Sequence, residues 1–235
     1  YIYVLVFLAL PFAACKDKYA QLAQDAPLIS VGVRDGSGTY VRLNVSPQRV
    51  VALDPTAVEM AFLLNRGDRI VAVSEFCDGP EEILKLPTLL MEADSSYNVR
   101  TFAETGGDLV LHNLAWASPS PEAFRTFAGN LGMPVFYRSQ ADWTQVLEDL
   151  HSIGKLLDNE KGARNFTEKL NRFATSIPKK SPLPDTPKVV LLRSVEPMIV
   201  MGGGHYMNGL LKQMGARNAL DFIKKDFAEG TSDLI

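Results

Sequence analysis

Short apolar runs, each followed by the start of a helix, constrain the fold of this 235-residue chain more than any other feature of its sequence. Residues 49–53 form such a run, and Asp54-Pro55 directly after it supplies an N-cap residue and a proline for the first helical position. Similar runs occur at residues 69–73, 108–111 and 134–137. Strands that are apolar on both faces are typical of parallel sheets covered by helices. The alternation of such strands with helices therefore predicts an α/β fold with a parallel sheet.

A long helical pattern separates this region from a second one of the same kind. Residues 142–177 have apolar side chains at spacings of three and four, with an interruption near Asp158-Asn159. Four prolines follow between residues 178 and 187, and apolar runs then resume at 188–192 and 198–201 before a helix near 208–214. We therefore expect two α/β lobes with parallel sheets, bridged by a long helix. The last residues are apolar as well, and we expect the second lobe to be truncated.

The N-terminal region combines an apolar run with a hairpin pattern. Residues 1–14 are apolar, too few to span a bilayer, and match the hydrophobic core of a secretory signal. Ala13-Ala14 before Cys15 resembles the bacterial lipoprotein signal, in which the cysteine takes up a lipid and becomes the mature N-terminus. The alternative is an N-terminal strand or helix buried in the fold. Residues 29–33 and 40–43 alternate apolar and polar side chains around a Gly-containing turn, which predicts a β-hairpin.

Charge and cysteine content exclude several classes of protein. The net charge is −3 and the basic residues are scattered, so there is no basic stripe for nucleic acid. The chain has two cysteines. With Cys15 assigned to the signal, Cys77 has no partner, so we expect neither a disulfide framework nor a CxxC metal site.

Short segments in a fixed order carry a family resemblance. They lie at residues 48–59, 67–73, 78–80, 86–87, 107–110, 131–135 and 215–218. The ordered set, which extends from about residue 29 to the end, resembles the periplasmic substrate-binding proteins of ABC importers for iron chelates, haem and cobalamin. The resemblance implies two α/β lobes bridged by one long helix, with the ligand held in the cleft between them. Residues 74–80 are similar to a cleft segment of cobalamin-binding members.

The resemblance also implies a function and partners. We expect a binding protein without catalysis and without a resident cofactor, whose ligand is a metal chelate, either cobalamin or another corrinoid or a ferric siderophore. Its expected partners are a membrane permease and its ATPase. We expect a monomer, held on a membrane by a lipid on Cys15 and facing the periplasm or the cell exterior.

These observations divide the chain into five parts. The predicted parts are a signal peptide at residues 1–14, a lipidated tether with the N-terminal hairpin at 15–47, an N-terminal α/β lobe at 48–138, a helical connector at 139–186 and an incomplete C-terminal α/β lobe at 187–235.

Candidate ligand-binding residues follow the strand ends, because open α/β sheets bind ligands beyond the carboxyl ends of their strands. Phe76 and Trp116 stand there and could stack on a flat chelate. Tyr97 lies in a polar loop that corresponds to a cleft loop of the family, where a tyrosine could ligate ferric iron or stack on the ligand. Arg193 ends the first strand of the second lobe and could pair with a carboxylate or phosphate. For each aromatic residue, ordinary packing is the competing interpretation.

A glycine-rich loop adds two further candidates. Residues 202–204 are glycines, which let a backbone approach a ligand closely, and His205 and Tyr206 follow them. His205, like His112, could be an axial ligand to haem iron or cobalt, although a lone histidine is more often only hydrogen-bonded. The same loop could be a plain tight turn.

Permease docking is the point at which this chain departs from the family. Family members carry an acidic residue on each lobe that docks onto arginines of the permease. On the first lobe the matching position is Arg100, and Glu104, one helical turn later, is the predicted substitute. On the second lobe the nearest match is Asp233. The departure favours an alternative function, a surface-anchored scavenger of haem or metal chelates without a standard permease.

Two other classes fit the sequence less well. There is no GxSxG or HExxH motif, and Cys77 beside Asp78 has no histidine partner that would activate it, so an enzyme is not expected. A carrier of bare zinc or manganese needs three or four converging ligands, and the chain has three histidines, of which the mid-helix His151 is assigned a structural role.

Overall fold

The computed structural model describes residues 28–139, 142–176, 186–225 and 227–229. The predicted signal peptide, the lipidation site Cys15 and the predicted docking residue Asp233 lie outside these residues. Within them, no helix has the length and the apolar character needed to cross a membrane.

The predicted N-terminal hairpin is present and is fixed to the structure that follows it. Strands β1 (Leu28–Arg34) and β2 (Tyr40–Val45) pair antiparallel. Asp35 Oδ1 accepts hydrogen bonds from the backbone N–H groups of Ser37 and Thr39, both at 3.0 Å, and so closes the turn. Its other carboxylate oxygen accepts a hydrogen bond from Arg125 Nη2 at 2.6 Å, which holds the turn against the first lobe.

A five-stranded parallel sheet confirms the predicted α/β class. Its strands are β3 (Val50–Ala52), β4 (Ile70–Ser74), β5 (Thr88–Leu89), β6 (Leu109–Asn113) and β7 (Val135–Arg138), in the order β5-β4-β3-β6-β7. Every pairing in it is parallel. The four apolar runs became β3, β4, β6 and β7, whereas the two-residue edge strand β5 is too short to leave a pattern in the sequence.

Alternating side chains of this sheet enter two separate cores. Val50 and Ala52 pack on one side, and Val51 and Leu53 on the other. Helix α1 (Pro55–Leu63) covers the first side, while α2 (Val99–Glu104) and α3 (Pro121–Asn130) cover the second. Side chains of Asp54, Asn98 and Ser120 cap the three helices at their N-termini.

The predicted helical connector consists of two helices with a sharp break at the predicted position. Helix α4 (Trp143–Leu156) ends shortly before Asp158, whose φ is +57°, and α5 (Glu160–Ser176) follows. Gly154 of α4 faces Ala163 of α5 so closely that a Cβ on Gly154 would lie 2.3 Å from the alanine Cβ. Since α4 packs its buried face into the core beside α1, it belongs to the first lobe. Helix α5 has 17 residues and is about 26 Å long, and the second lobe follows it in the chain.

The second lobe has a mixed strand arrangement that the sequence analysis did not predict. Its elements are β8 (Lys188–Val189), β9 (Leu192–Val195), β10 (Met198–Met201), α6 (Met207–Gln213), β11 (Arg217–Asn218) and β12 (Phe227–Glu229). Strands β8 and β11 pair parallel, as expected, but β12-β10-β9 form an antiparallel sheet. The reason is that only Glu196-Pro197 joins β9 to β10, and a parallel pair needs a crossover of a dozen or more residues.

Candidate functional site

A cavity of about 310 Å³ lies where the carboxyl edge of the parallel sheet meets the second lobe. Phe76 follows β4, Trp116 follows β6 and Arg193 belongs to β9, so three of the predicted binding residues come together from both lobes. Met91, Ser95 and Ser118 complete the described lining. We call this the cleft cavity.

Two aromatic rings and one guanidinium group define the cleft cavity. The ring centroids of Phe76 and Trp116 are 6.3 Å apart, with the planes at 61°, and Phe76 is 47% exposed. The guanidinium carbon of Arg193 lies 5.6 Å from the centroid of the Trp116 ring, within the range of a cation–π contact. The arrangement offers flat apolar surface beside a positive charge.

The end of β4 turns Phe76 outward. Ser74 Oγ donates a hydrogen bond to the Leu53 carbonyl at 3.0 Å, and the Cys77 N–H donates to the Ser74 carbonyl at 3.1 Å. The side chains of Ser74 and Cys77 are buried, and burial raises the pKa of the Cys77 thiol. The ring between them is left at the surface of the cavity.

The end of β6 positions Trp116 in a comparable way. Asn113 is 1% exposed, and its Oδ1 accepts a hydrogen bond from the Ala115 N–H at 2.8 Å. This contact caps the short 3₁₀ turn Leu114–Trp116 that carries the indole. Each ring therefore stands on a buried polar residue at a strand end.

Tyr97, a predicted binding residue, lies in the core and not in the described lining of the cleft cavity. Its side chain is 7% exposed and packs in the second core, with ring centroids 5.8 Å from Phe102 and 5.9 Å from Phe124. Burial is the main reason that the pKa of its hydroxyl rises to about 12. An antiparallel bridge between Met91 and Tyr97 folds this loop back on itself, so the loop presents Met91 and Ser95 to the cavity and turns Tyr97 inward.

His112 is not available to a ligand either. It is 2% exposed, its ring lies 4.9 Å from that of Phe124, and burial lowers its pKa to about 4. The register explains this position, because His112 pairs with Tyr137 on the face of the sheet that α3 covers.

His205 and Tyr206 lie outside the described lining of the cleft cavity. Their rings are 4.6 Å apart, and His205 is 5% exposed. Burial, together with the charges of Arg138 and Arg193, lowers the pKa of His205. The glycine-rich loop therefore brings a buried, neutral histidine close to guanidinium groups of both lobes.

A buried ion pair at the same edge of the sheet was missed by the sequence analysis. Arg138, the last residue of β7, donates from Nε to Asp54 Oδ2 at 2.5 Å, and both side chains are 1% exposed or less. Asp149 of α4 lies near this pair, and burial raises its pKa to about 7. An arginine at the end of an otherwise apolar strand, aligned with an acidic helix cap, was the available signal.

The predicted docking residue Glu104 lies on the surface of α2. Its carboxylate accepts a hydrogen bond from Arg100 Nε at 2.9 Å, and the two side chains are 62% and 86% exposed. Arg100, the residue that departs from the family pattern, is thus paired with its predicted acidic substitute. Among the described residues, no group of three or more His, Cys, Asp or Glu side chains converges as a metal site would require.

Comparison with known proteins identifies the family to which this chain belongs. The family described as periplasmic binding protein matches residues 50–232. A curated relative, the vitamin B12-binding protein of Yersinia pestis strain Pestoides F, is 23% identical over 171 residues, which cover 73% of this chain and 59% of the relative. This chain therefore spans about three fifths of the length of the curated relatives that it matches.

Solved structures share the fold. The periplasmic vitamin B12-binding protein of Vibrio cholerae has a TM-score of 0.64 at 19% identity, covering 80% of this chain and 72% of that one. The periplasmic haem-binding protein of the same organism has a TM-score of 0.64 at 16% identity, covering 80% and 71%. A structure from the Fe³⁺-hydroxamate transport system of Saccharomonospora viridis has a TM-score of 0.66 at 16% identity, covering 86% and 74%.

Proposed function

Because this chain belongs to the periplasmic binding protein family, we propose that it captures a metal chelate between its two lobes and delivers it to the permease of an ABC importer. The observation that carries the proposal is the cleft cavity, to which the first lobe contributes Phe76 and Trp116 and the second contributes Arg193. The proposal is supported by similarity to proteins that are named as vitamin B12-binding and haem-binding proteins. Capture requires no catalytic residues.

The chemistry of the cleft cavity favours a flat ligand with an acidic group at its edge. Rings such as those of Phe76 and Trp116 gain free energy by covering apolar, planar surface, and Arg193 adds a cation that can pair with a carboxylate or phosphate. Corrinoids, haem and aromatic siderophores all offer planar surface. The volume of about 310 Å³ lies at the low end of ligand pockets, so a chelate larger than this extends beyond the described lining.

Export and anchoring belong to the same proposal. Residues 1–14 and Cys15 support a lipoprotein held on a membrane and facing the periplasm or the cell exterior. Replacement Cys15→Ala in the full chain should release the protein from the membrane fraction. A protein that stays in that fraction after Cys15→Ala contradicts the lipoprotein proposal and leaves ligand capture untouched.

One observation favours a second candidate, the surface-anchored scavenger without a standard permease. At the predicted docking position of the first lobe, the carboxylate of Glu104 is paired with Arg100. A permease that docks through arginines would meet the exposed Arg100 beside this acid. Uptake of the captured chelate by cells that carry the importer separates the two candidates, since a scavenger binds the chelate without supporting uptake.

The experiment that tests capture is a visible-absorbance titration of the signal-less protein. The panel is cobalamin, cobinamide, haem and a set of ferric siderophores. Saturable one-to-one binding of one class is the expected result, and it should be weakened in both Phe76→Ala and Trp116→Ala. A folded protein that binds no chelate of the panel contradicts the proposal.

A further inference from the structure

Arg193 and Trp116 make a contact across the cleft cavity that bears on which ligands can bind there. The guanidinium carbon lies 5.6 Å from the centroid of the indole ring, and the two residues come from different lobes. Both side chains line the cleft cavity together with Phe76. The guanidinium therefore covers part of the aromatic surface that faces the cavity, and this is the surface on which a flat ligand would stack.

The space above the Trp116 ring is too small for the guanidinium and a flat ligand together. Stacked atoms approach each other to about 3.5–4.0 Å, so a planar ligand between the two groups needs a separation of roughly 7–8 Å. The observed separation is 5.6 Å. A ligand that stacks on this part of the ring must therefore displace the guanidinium, whether the Arg193 side chain turns away or the lobes move apart.

Arg193 is placed so that it can move without disturbing a core. Its side chain is exposed, and so are those of Leu192 and Val195 on the same strand, β9. Trp116, by contrast, is half-buried, and the buried Asn113 caps the turn that carries it. We therefore expect a stacking ligand to move the guanidinium and to leave the indole in place.

The displacement costs affinity unless the ligand offers the guanidinium a new partner. A cation–π contact at an exposed site corresponds to about twofold to fivefold in an equilibrium constant. A carboxylate at the edge of a ligand replaces this contact, because arginine pairs with carboxylates through two parallel hydrogen bonds. A planar ligand without an acidic group offers no replacement, so the loss remains in its affinity.

We propose that Arg193 acts as a charge-selective gate over Trp116, so that the cleft cavity favours planar ligands with an acidic edge over planar ligands without one. The inference rests on the proposed capture of a chelate, and it deepens that proposal by assigning the discrimination between ligand classes to one residue. It predicts effects of opposite sign. Removing the guanidinium weakens the binding of acidic planar ligands and strengthens the binding of those without an acid.

Quenching of Trp116 emission tests the gate without any chelate. The chain has two tryptophans, so in Trp143→Phe all tryptophan emission comes from Trp116. In this background, Arg193→Ala should raise quenching by acrylamide, a small, planar and uncharged molecule, by as much as about fivefold, since the ring loses its cover. Quenching by the anion iodide should fall, because the local positive charge is gone.

Two further variants separate the cover from the charge. Arg193→Lys keeps the charge but loses the planar group that stacks on the ring, so acrylamide quenching should rise while iodide quenching stays high. The control is Arg217→Ala, which removes one exposed positive charge of the second lobe outside the described lining of the cavity and should change neither. Equal acrylamide quenching in Arg193→Ala and Arg217→Ala overturns the gate.

A matched pair of porphyrins tests the selection itself. Haemin carries two propionate groups, and its diamide has the same ring without an acid. In visible-absorbance titrations, Arg193→Ala should weaken haemin binding about twofold to fivefold and strengthen binding of the diamide by a similar factor. Changes of the same sign for both overturn the selection. If neither porphyrin binds, porphyrin capture is contradicted, and acrylamide and iodide, which are themselves a neutral and an anionic probe, decide the gate.

Discussion

The two lobes differ in how completely their strands are buried. In the first lobe every residue of β3, β6 and β7 is buried, and helices cover both faces of the sheet. In the second lobe Val200 is the one buried residue of β8, β9 and β10, and Leu192 and Val195 are 46% and 69% exposed. The described part of the first lobe is therefore a packed core, whereas that of the second lobe is a thin layer.

The two sides of the cleft cavity come from these two differently packed lobes. Phe76 and Trp116 follow buried strands, in turns that hydrogen bonds of the buried Ser74 and Asn113 hold in place. Arg193 belongs to β9, whose side chains are mostly exposed. Regions with few buried contacts open locally at low free-energy cost. We therefore expect the aromatic side of the cavity to be preorganised and the cationic side to adjust to the ligand.

The largest expected effect comes from breaking the buried ion pair of the first lobe. Arg138→Met leaves the Asp54 carboxylate buried without its partner, so the free energy of unfolding should fall by about 3–5 kcal/mol. Chemical denaturation measures the change. The matched control is Arg100→Met, which breaks an exposed pair and should cost at most about 1 kcal/mol.

A double variant tests the same ion pair if Arg138→Met alone does not fold. Arg138→Met with Asp54→Asn removes both charges, and it should recover part of the lost stability because no uncompensated charge remains in the core. If the single variant is as stable as wild type, the ion pair does not contribute to the difference between the lobes.

The second prediction applies one substitution to a strand of each lobe. Leu111 on β6 is fully buried, so Leu111→Ala should lower the free energy of unfolding by about 2–5 kcal/mol. Leu192 on β9 is 46% exposed, and Leu192→Ala should change it by about 0.5 kcal/mol or less. Similar losses in the two variants would show that the second lobe is packed as tightly as the first.

Much of this contrast was predictable from the sequence of the first lobe. Its buried strands are continuous apolar runs, and Asp54-Pro55 marks a helix start that the structure confirms. The second lobe was harder, because its strands have two to four residues and the parallel assignment overlooked the two-residue connection at Glu196-Pro197. A strand that short takes its partner from tertiary packing rather than from its own pattern.

The site was predictable where a strand end determined it and unpredictable where a loop folded back. Phe76 and Trp116 were found from their positions after apolar runs, and Arg193 joined them across the lobes. Tyr97 lies in the second core and not in the described lining of the cavity, because the composition of its loop does not reveal the bridge to Met91 that turns the ring inward. Arg138 was missed because its partner, Asp54, lies 84 residues away in the chain.

The third prediction uses pH to sharpen the comparison. Burial raises the pKa of Asp149 from 3.8 to about 7, so the folded protein holds this proton while the unfolded chain releases it above about pH 4. The stability from this group is therefore complete below about pH 4 and is lost as pH rises through 7. Relative to wild type, Asp149→Asn should gain roughly 2–4 kcal/mol in free energy of unfolding between pH 4 and pH 8.

Denaturation of both proteins at each pH measures this gain. Taking the difference between variant and wild type cancels the titration of all other groups. Glu148→Gln, the neighbouring substitution on the exposed side of α4, controls for the loss of one negative charge. A difference between Asp149→Asn and wild type that stays constant with pH contradicts the buried, protonated carboxyl.

The smallest expected effect concerns ligand binding and tests whether the two sides of the cleft cavity differ as their lobes do. Trp116→Ala removes a ring of the packed side and should weaken chelate binding by roughly 1–3 kcal/mol, about fivefold to 150-fold in Kd. Arg193→Gln removes the cation from the exposed strand and should cost at most about 1 kcal/mol, since a partly solvated charge pair contributes little. Its effect should also shrink as salt rises, because salt screens exposed charges. Titration of both variants at low and high salt measures this, and a larger, salt-independent loss for Arg193→Gln would make the second lobe the rigid, dominant side of the site.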